Sequence, residues 1–179
     1  MSDVELRVPT DDDAAAWTAL FDDDEVMRFI GNGERRDHPY YVGLVERQRS
    51  LAGDSGLCLF SVVVDGSVAG FAGVHPWSHD WGPTGQPEIG WRLGRAFWGR
   101  GLATEAARAA VERARAAEVP QLISMIHESN AASFRVARKL GMATEAVLVS
   151  PEGNRVHRLG LPLQACPELS SGPAPGRRT

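Results

Sequence analysis

The segment from Gln86 to Thr104, QPEIGWRLGRAFWGRGLAT, constrains the fold most: an apolar strand runs into a glycine-rich turn, and the turn opens a long alanine-rich helix. Gly99 and Gly101 allow the backbone to bend and to approach a ligand closely. The helix expected from about Leu102 begins with unpaired N–H groups at its positive dipole end. An anionic pyrophosphate fits such a turn. The plainer alternative is an ordinary strand-to-helix connection.

Spacing separates the ligand classes that use glycine turns. A P-loop requires Gly-Lys-Ser/Thr after its four-residue spacer, and no Lys follows Gly101, which argues against nucleoside-triphosphate hydrolysis. A dinucleotide fingerprint requires a third glycine where Thr104 stands and an acid about twenty residues on, where the chain has Gln121 and Leu122. Downstream, ISMIHESNAASFRVARKLGM reads as a strand, a helix start at Asn130 and a helix stop at Gly141. Asn130 is a good N-cap, Ser133 falls at the N3 position, Val136 and Leu140 share a face, and Gly141 suits the C′ site.

The glycine turn is similar to the phosphate turn of the GNAT acetyltransferases, Gln/Arg-x-x-Gly-x-Gly/Ala. Gly101 and Ala103 match it, and Trp98 departs from it at the first position. Because that turn binds through backbone amides, the departure touches the motif more than the chemistry. Asn130, Ser133 and the Leu140-Gly141-Met142 end look like the RimJ/RimL branch, typified by the ribosomal-protein-alanine acetyltransferases. The resemblance covers nearly the whole chain up to about Leu163. It implies an α/β GNAT fold: a mixed, mostly antiparallel sheet flanked by helices, with two splayed strands forming a cleft for CoA.

The same resemblance implies acetyl-CoA as co-substrate and a primary amine as acceptor, either a protein N-terminus or a small molecule. It assigns the phosphates to Trp98, Gly99, Arg100, Gly101, Leu102, Ala103 and Thr104, with Asn130 on the other side of the cleft. Backbone N–H groups of Trp91, Arg92 and Leu93 would hold the pantetheine arm and polarise the thioester oxygen. Glu88, in the segment Glu88-Ile89-Gly90, would be the general base. Many relatives place a tyrosine seven residues after the asparagine to protonate the leaving thiolate; here that position is Ala137, which leaves Ser133 for the role. On the residues alone, Glu88 reads equally as a strand-end glutamate, Asn130 as a cap and Ser133 as a first-turn serine. A CoA-binding or interaction module without turnover therefore stays open beside the enzyme.

The remaining sequence is consistent with one domain, residues 1–166, followed by a flexible tail from 167 to 179 with little to bury. Strands are expected at 5–8, 57–64, 68–75, 88–93, 122–126, 143–149 and 156–163, and helices at 11–21, 24–30 and 40–51, from 102, and from Asn130. Asp65-Gly66 marks a hairpin turn. On the helix from Leu102, Ala103, Ala106, Ala107, Ala110, Val111, Ala114 and Ala117 form one small-residue face that can lie close on a sheet.

With 19 Lys and Arg against 23 Asp and Glu, the net charge is −4. No basic stripe marks a nucleic-acid surface. Cys58 and Cys166 form neither a disulfide framework nor a zinc spacing, and no two of the five histidines have helix-face metal spacing. The chain shows no signal peptide and no apolar run near the roughly 20 residues of a membrane span, so a cytoplasmic protein is expected, with a homodimer left open. Trp77, His79 and Trp81 are expected to border an acceptor groove or to cover a sheet edge; His127 reads first as a structural strand-end residue. Acids at Asp11, Asp12, Asp13 and Asp22, Asp23, Asp24, Glu25 are expected to cap helices and solvate the surface, and in this family could form a negative rim for a cationic amine.

Overall fold

Strict alternation along the central strands sorts their side chains onto two faces, and a separate core forms on each. The computed structural model describes residues 4–164; Cys166, the expected domain end at 166 and the 167–179 tail lie outside them. The order is β1 (Val4–Arg7), α1 (Asp11–Phe21), α2 (Asp24–Met27), α3 (His38–Ser55), β2 (Leu59–Val64), β3 (Ser67–Pro76), β4 (Pro87–Leu93), a 3₁₀ turn (Arg95–Phe97), α4 (Leu102–Ala116), β5 (Gln121–His127), α5 (Ala131–Lys139), β6 (Ala143–Val149) and β7 (Arg155–Pro162). The strands form one sheet in the order β1-β2-β3-β4-β5-β7-β6. Every neighbouring pair is antiparallel except β4 and β5. This is the expected mixed α/β architecture.

One face carries Phe60, Val62, Val64, Ala72, Val74, Ile89 and Leu93 against the alanine face of α4 and against Ala137 of α5. The small residues at 106, 107, 110 and 114 are all buried to within 1%, so no side chain holds the helix off the sheet. The other face carries Leu59 and Phe71 against Trp17, Phe21, Met27, Tyr41, Leu44 and Val45 from the first three helices. Phe71 meets Trp17 and Phe21 edge-to-face at 5.2 and 5.4 Å, the geometry favoured by aromatic quadrupoles.

Local chemistry sets the boundaries. Asp65 and Gly66 both adopt positive φ, 50° and 77°, as a tight hairpin with a right-handed twist requires. The third helix is longer than its periodicity suggests, starting at His38 because the Asp37 side chain accepts from the Tyr40 N–H with proline in the first turn, and stopping at left-handed Gly56. The second helix is shorter, ending at Met27, because Ile30 N–H turns back to the Met27 carbonyl and Gly33 N–H to that of Ile30. The 3₁₀ turn at Arg95–Phe97 has no periodic signature and went unread.

One acid corrects the expectation of a solvated cluster. Asp13 is 1% exposed. Its carboxylate accepts from Arg7 at 2.6 and 2.8 Å, from the Thr10 N–H at 2.7 Å and from the Ser61 hydroxyl at 2.8 Å, tying β1, α1 and β2 together. Burial works to raise its pKa, but the Arg7, Thr10 and Ser61 hydrogen bonds outweigh burial and hold it below the ordinary carboxylate value. A depressed folded pKa means that this stabilisation is present above the unfolded aspartate pKa, about 3.9, and is lost as pH falls through the folded value. Asp13→Asn should cost about 2 kcal/mol at pH 7. Urea unfolding should show that penalty shrinking below about pH 4, and a pH-independent penalty would argue that only packing is lost.

Candidate active site

The single parallel pairing in the sheet is also its shortest. β4 and β5 are in register only at Glu88 and Ile123, and beyond that bridge they part, leaving a wedge between Gly90–Leu93 and Met125–His127. Glu88 sits at the apex. Its Oε1 accepts from the Met125 N–H at 3.2 Å, which satisfies an amide that the parting strands leave without a ladder partner. Its Oε2 lies 3.3 Å from Nε2 of His75, the cross-strand partner of Glu88 on β3. Glu88 is 9% exposed, yet it borders a groove of about 380 Å³ on the face that carries α1 to α3.

The strand pattern explains what reaches that groove. Ile89 and Leu93 point into the α4 core, with Trp91 packed against it, whereas Glu88, Gly90 and Arg92 alternate onto the opposite face. Arg92 pairs in register with Phe71, and its guanidinium lies over the Phe71 and Phe21 rings at 5.1 and 5.2 Å.

Beyond β4, Gly99 and Gly101 have φ of 74° and 81°, and nothing in the protein lies within 4 Å of a side chain built at either. Gly101 is the N-cap of α4 and accepts from the Thr104 and Glu105 N–H groups. Among the described residues, the N–H groups of Gly99, Gly101, Leu102 and Ala103 donate no backbone hydrogen bond. The turn thus presents amides and the positive end of a 15-residue helix, the arrangement that attracts phosphate.

Trp98 and Thr104 differ from their neighbours because both amides are engaged, with the Arg95 and Gly101 carbonyls. The Trp98 indole N–H reaches back to the Leu93 carbonyl at 2.8 Å. Its ring is 47% exposed, so it braces the turn from outside. Arg100 lies near Asp65, with 3.7 Å between charged atoms.

Across the wedge, the Asn130 side chain caps α5 by accepting from the Ser133 N–H at 3.0 Å, and both residues line the groove. Ala137, at the position of the missing tyrosine, is fully buried in the core. His127 Nδ1 accepts from the Ser129 N–H at 3.1 Å, so its ring caps the end of β5. Trp77, His79 and Trp81 stack on one another at the rim, with Trp77 N–H donating to the Trp81 carbonyl at 2.6 Å; they line the same groove as Glu88.

The negative rim does not form there. Asp11 pairs with Arg49, Asp22 and Asp24 with Arg35, and Asp23 with Arg95. The acids lining the groove are Glu88 and Glu152, and α3 with its preceding loop supplies Arg36, Tyr40, Arg47 and Gln48 instead. These wall residues went unnoticed in the sequence. Their signal is the helical spacing of Tyr40, Leu44, Arg47 and Gln48, a half-buried stripe with polar members. Glu152 and Asn154, on the turn between β6 and β7, carry no comparable signature. Among the described residues, no cluster of three or more His, Cys, Asp or Glu side chains could hold a metal ion, and no helix is long and apolar enough to cross a membrane.

Comparison with known proteins agrees with this geometry. The family model of the acetyltransferase (GNAT) domain matches residues 3–143, and the chain belongs to that family. YkkB of Bacillus subtilis (strain 168) is 31% identical over 142 residues, 78% of this chain and 81% of its own length. Among solved structures, yncA of Salmonella typhimurium with its cofactor acetyl-CoA superposes at a TM-score of 0.73 and 20% identity, covering 92% of this chain and 96% of that one. A ribosomal-protein-alanine N-acetyltransferase from Brucella melitensis gives 0.72 and 19%, covering 88% and 99%. At these identities the structural likeness establishes the shared fold.

Proposed function

We propose that the protein is an acetyl-CoA-dependent N-acetyltransferase that moves an acetyl group to a primary amine by direct attack on the thioester, in the RimJ/RimL manner. The observation that carries this reading is the wedge between β4 and β5 opening beside a turn in which the Gly99, Gly101, Leu102 and Ala103 N–H groups donate no backbone hydrogen bond. The wedge can take an extended pantetheine arm against the backbone of Trp91 to Leu93. The turn from Gly99 to Ala103 can take the pyrophosphate, with Asn130 and α5 closing the far side. That the Salmonella protein of the same fold carries acetyl-CoA supports the assignment of this co-substrate.

Glu88 serves as the base. An ammonium acceptor gives a proton to its carboxylate, directly or through one water, and the neutral nitrogen attacks the thioester carbon. The carbon–sulfur bond then breaks, the nitrogen gives up its second proton to solvent to become the amide, and the thiolate takes a proton from Ser133 on the opposite wall, which solvent reprotonates. A peptide α-amino group, with a pKa near 8, is roughly 10% neutral at pH 7, against about 0.04% for a lysine. A weak carboxylate base therefore suits an N-terminal or low-pKa amine. The buried Ala137 supports the alternative, a CoA-binding module without turnover.

Incubation with acetyl-CoA and a panel of peptides and small amines, read by mass spectrometry for the gain of one acetyl group, separates the two. Gly101→Val places a β-branched residue at positive φ and should weaken CoA binding at least about tenfold, or roughly 1.4 kcal/mol; unchanged affinity by calorimetry would move the phosphate site elsewhere. Ser133→Ala should lower kcat more than it raises KM for acetyl-CoA, because protonation of the leaving sulfur belongs to the transition state. Full turnover in that variant would hand the proton to solvent.

Glu88→Gln keeps an acceptor oxygen for the Met125 N–H, so it removes the base while preserving the anchor. It should depress kcat/KM by about 10² at neutral pH and spare acetyl-CoA affinity. The loss should shrink as pH rises toward the acceptor's own pKa, where neutral amine forms unaided. An equal loss at every pH would make Glu88 a positioning residue.

A further inference from the structure

The α3 and β4 wall of the groove is cationic, and its deepest cation lacks a counter-ion. Several other arginines are matched by acids: Arg7 with Asp13, Arg35 with Asp22 and Asp24, Arg49 with Asp11, Arg95 with Asp23, Arg155 with Glu128. Arg92 is different. Its Nη1 faces the Met27 sulfur at 3.6 Å, two phenyl rings lie under the guanidinium, and Nε is buried without a hydrogen-bond partner. The Tyr41 hydroxyl, on a fully buried side chain, faces Arg92 within weak hydrogen-bonding reach and supplies no counter-charge. Burial lowers the Arg92 pKa from the ordinary arginine value, and the largest influence opposing that shift is the Tyr41 phenol.

A desolvated cation is costly unless an anion meets it, and aromatic faces supply only part of that partnership. The open side of Arg92 is the groove itself. Arg47 lines the same wall and has no ion pair among the described residues, and Arg36 pairs with Glu34 at 3.7 Å and lies over the Tyr40 ring at 5.6 Å. Arg92 and Glu88 lie four residues apart on one strand face, about 13 Å between Cα atoms at roughly 3.3 Å per residue, and both border the groove. A molecule whose amine approaches Glu88 can therefore lay a second group toward Arg92. Glu88 and Glu152 border the same space, which favours a monoanion over a dianion.

Resting on the acetyltransferase reading above, we propose that the acceptor is an amine that also carries a carboxylate, and that Arg92, with Arg47 and Arg36 toward the mouth, binds that carboxylate. A guanidinium offers two parallel N–H donors that match a carboxylate's two oxygens. The carboxylate could be the α-carboxylate of a free amino acid or the side chain of an acidic residue at a peptide N-terminus. Both present the same chemistry to Arg92, and they are separated by the choice of substrates.

The test compares matched acceptors on the wild-type protein with acetyl-CoA. Free amino acids are paired with their carboxamides, and peptides beginning with Asp or Glu are paired with those beginning with Asn or Gln. In at least one series the carboxylate member should be preferred about ten- to a hundredfold in kcat/KM, the range that a charge-assisted hydrogen bond supplies; the series in which this occurs identifies the source. Arg92→Gln should abolish the preference by raising KM for the carboxylate acceptor while leaving KM for its uncharged partner little changed, and Arg92→Lys should restore part of it. Equal use of both members, or a preference that survives Arg92→Gln, overturns the proposal while the acetyltransferase reading stands. If nothing in the panel is acetylated, titrating the acetyl-CoA-loaded protein with the same pairs decides: tighter binding of the carboxylate supports it, and equal or absent binding overturns it. Failure of the wild type to bind acetyl-CoA removes the underlying reading. The wild-type comparison needs no variant, and the exposed Arg47→Gln repeats the readout at smaller amplitude should Arg92→Gln fold poorly.

Discussion

A single bridge, Glu88 to Ile123, joins the two halves of the sheet. Parallel strands with a full ladder would close the wedge and consume the amides along its sides. Here the ladder stops after one register pair, and the carboxylate of Glu88 takes the Met125 N–H in place of a strand partner. The proposed base therefore also holds the strands at the width where they part. His75, directly across β3, holds the other oxygen. The groove, the turn that follows β4 and the approach of α5 all take their positions from that bridge.

The period of two along β4 then separates the two sides of the chemistry. Ile89, Trp91 and Leu93 anchor the strand to α4, so the turn at Gly99 to Gly101 is held rigidly against the helix whose amides it exposes. Gly90 and Arg92 face the other way, toward helices α1 to α3. The anion turn thus depends on backbone geometry and is indifferent to most side chains, which is why Trp98 can stand where the family pattern has a glutamine or arginine. The groove depends on side chains from α3 and from the turn between β6 and β7.

This division also explains what was legible in the sequence. The hairpin at Asp65-Gly66, the alanine face of α4, the Asn130 cap and the two glycines are local devices, written in adjacent residues or at a fixed helical period, and the structure has each where the sequence places it, except that Ala117, expected on the buried face, is the exposed C-cap of α4. The extra turn of α3 was missed because its cap, Asp37, precedes a proline that reads as a loop. Asp13 was misread because its three partners lie on β1, the α1 cap and β2; an acid buried by distant residues looks like any other acid in a run. Arg36, Arg47 and Glu152 went unread for the same reason. Nothing local distinguishes a solvated arginine from one that a remote strand draws into a groove wall.

The charges follow from that contrast. The amino-terminal acids are expected first to cap helices and solvate the surface, as Asp23 does at α2, and Arg35, Arg49 and Arg95 neutralise several of them on the outer surface, where such pairs contribute little to stability. What those ion pairs change is the field inside. With Asp22, Asp23 and Asp24 turned outward, the groove is left with the unpaired guanidinium of Arg92 over Phe21 and Phe71 and the carboxylate of Glu88 farther along the same strand. A half-buried positive charge and a buried negative charge at the two ends of one face define an axis, and a zwitterion aligned along it meets opposite charge at both ends. The strand that borders the proposed thioester wedge therefore also fixes, by its alternation, the polarity of the molecule that can lie along its groove face.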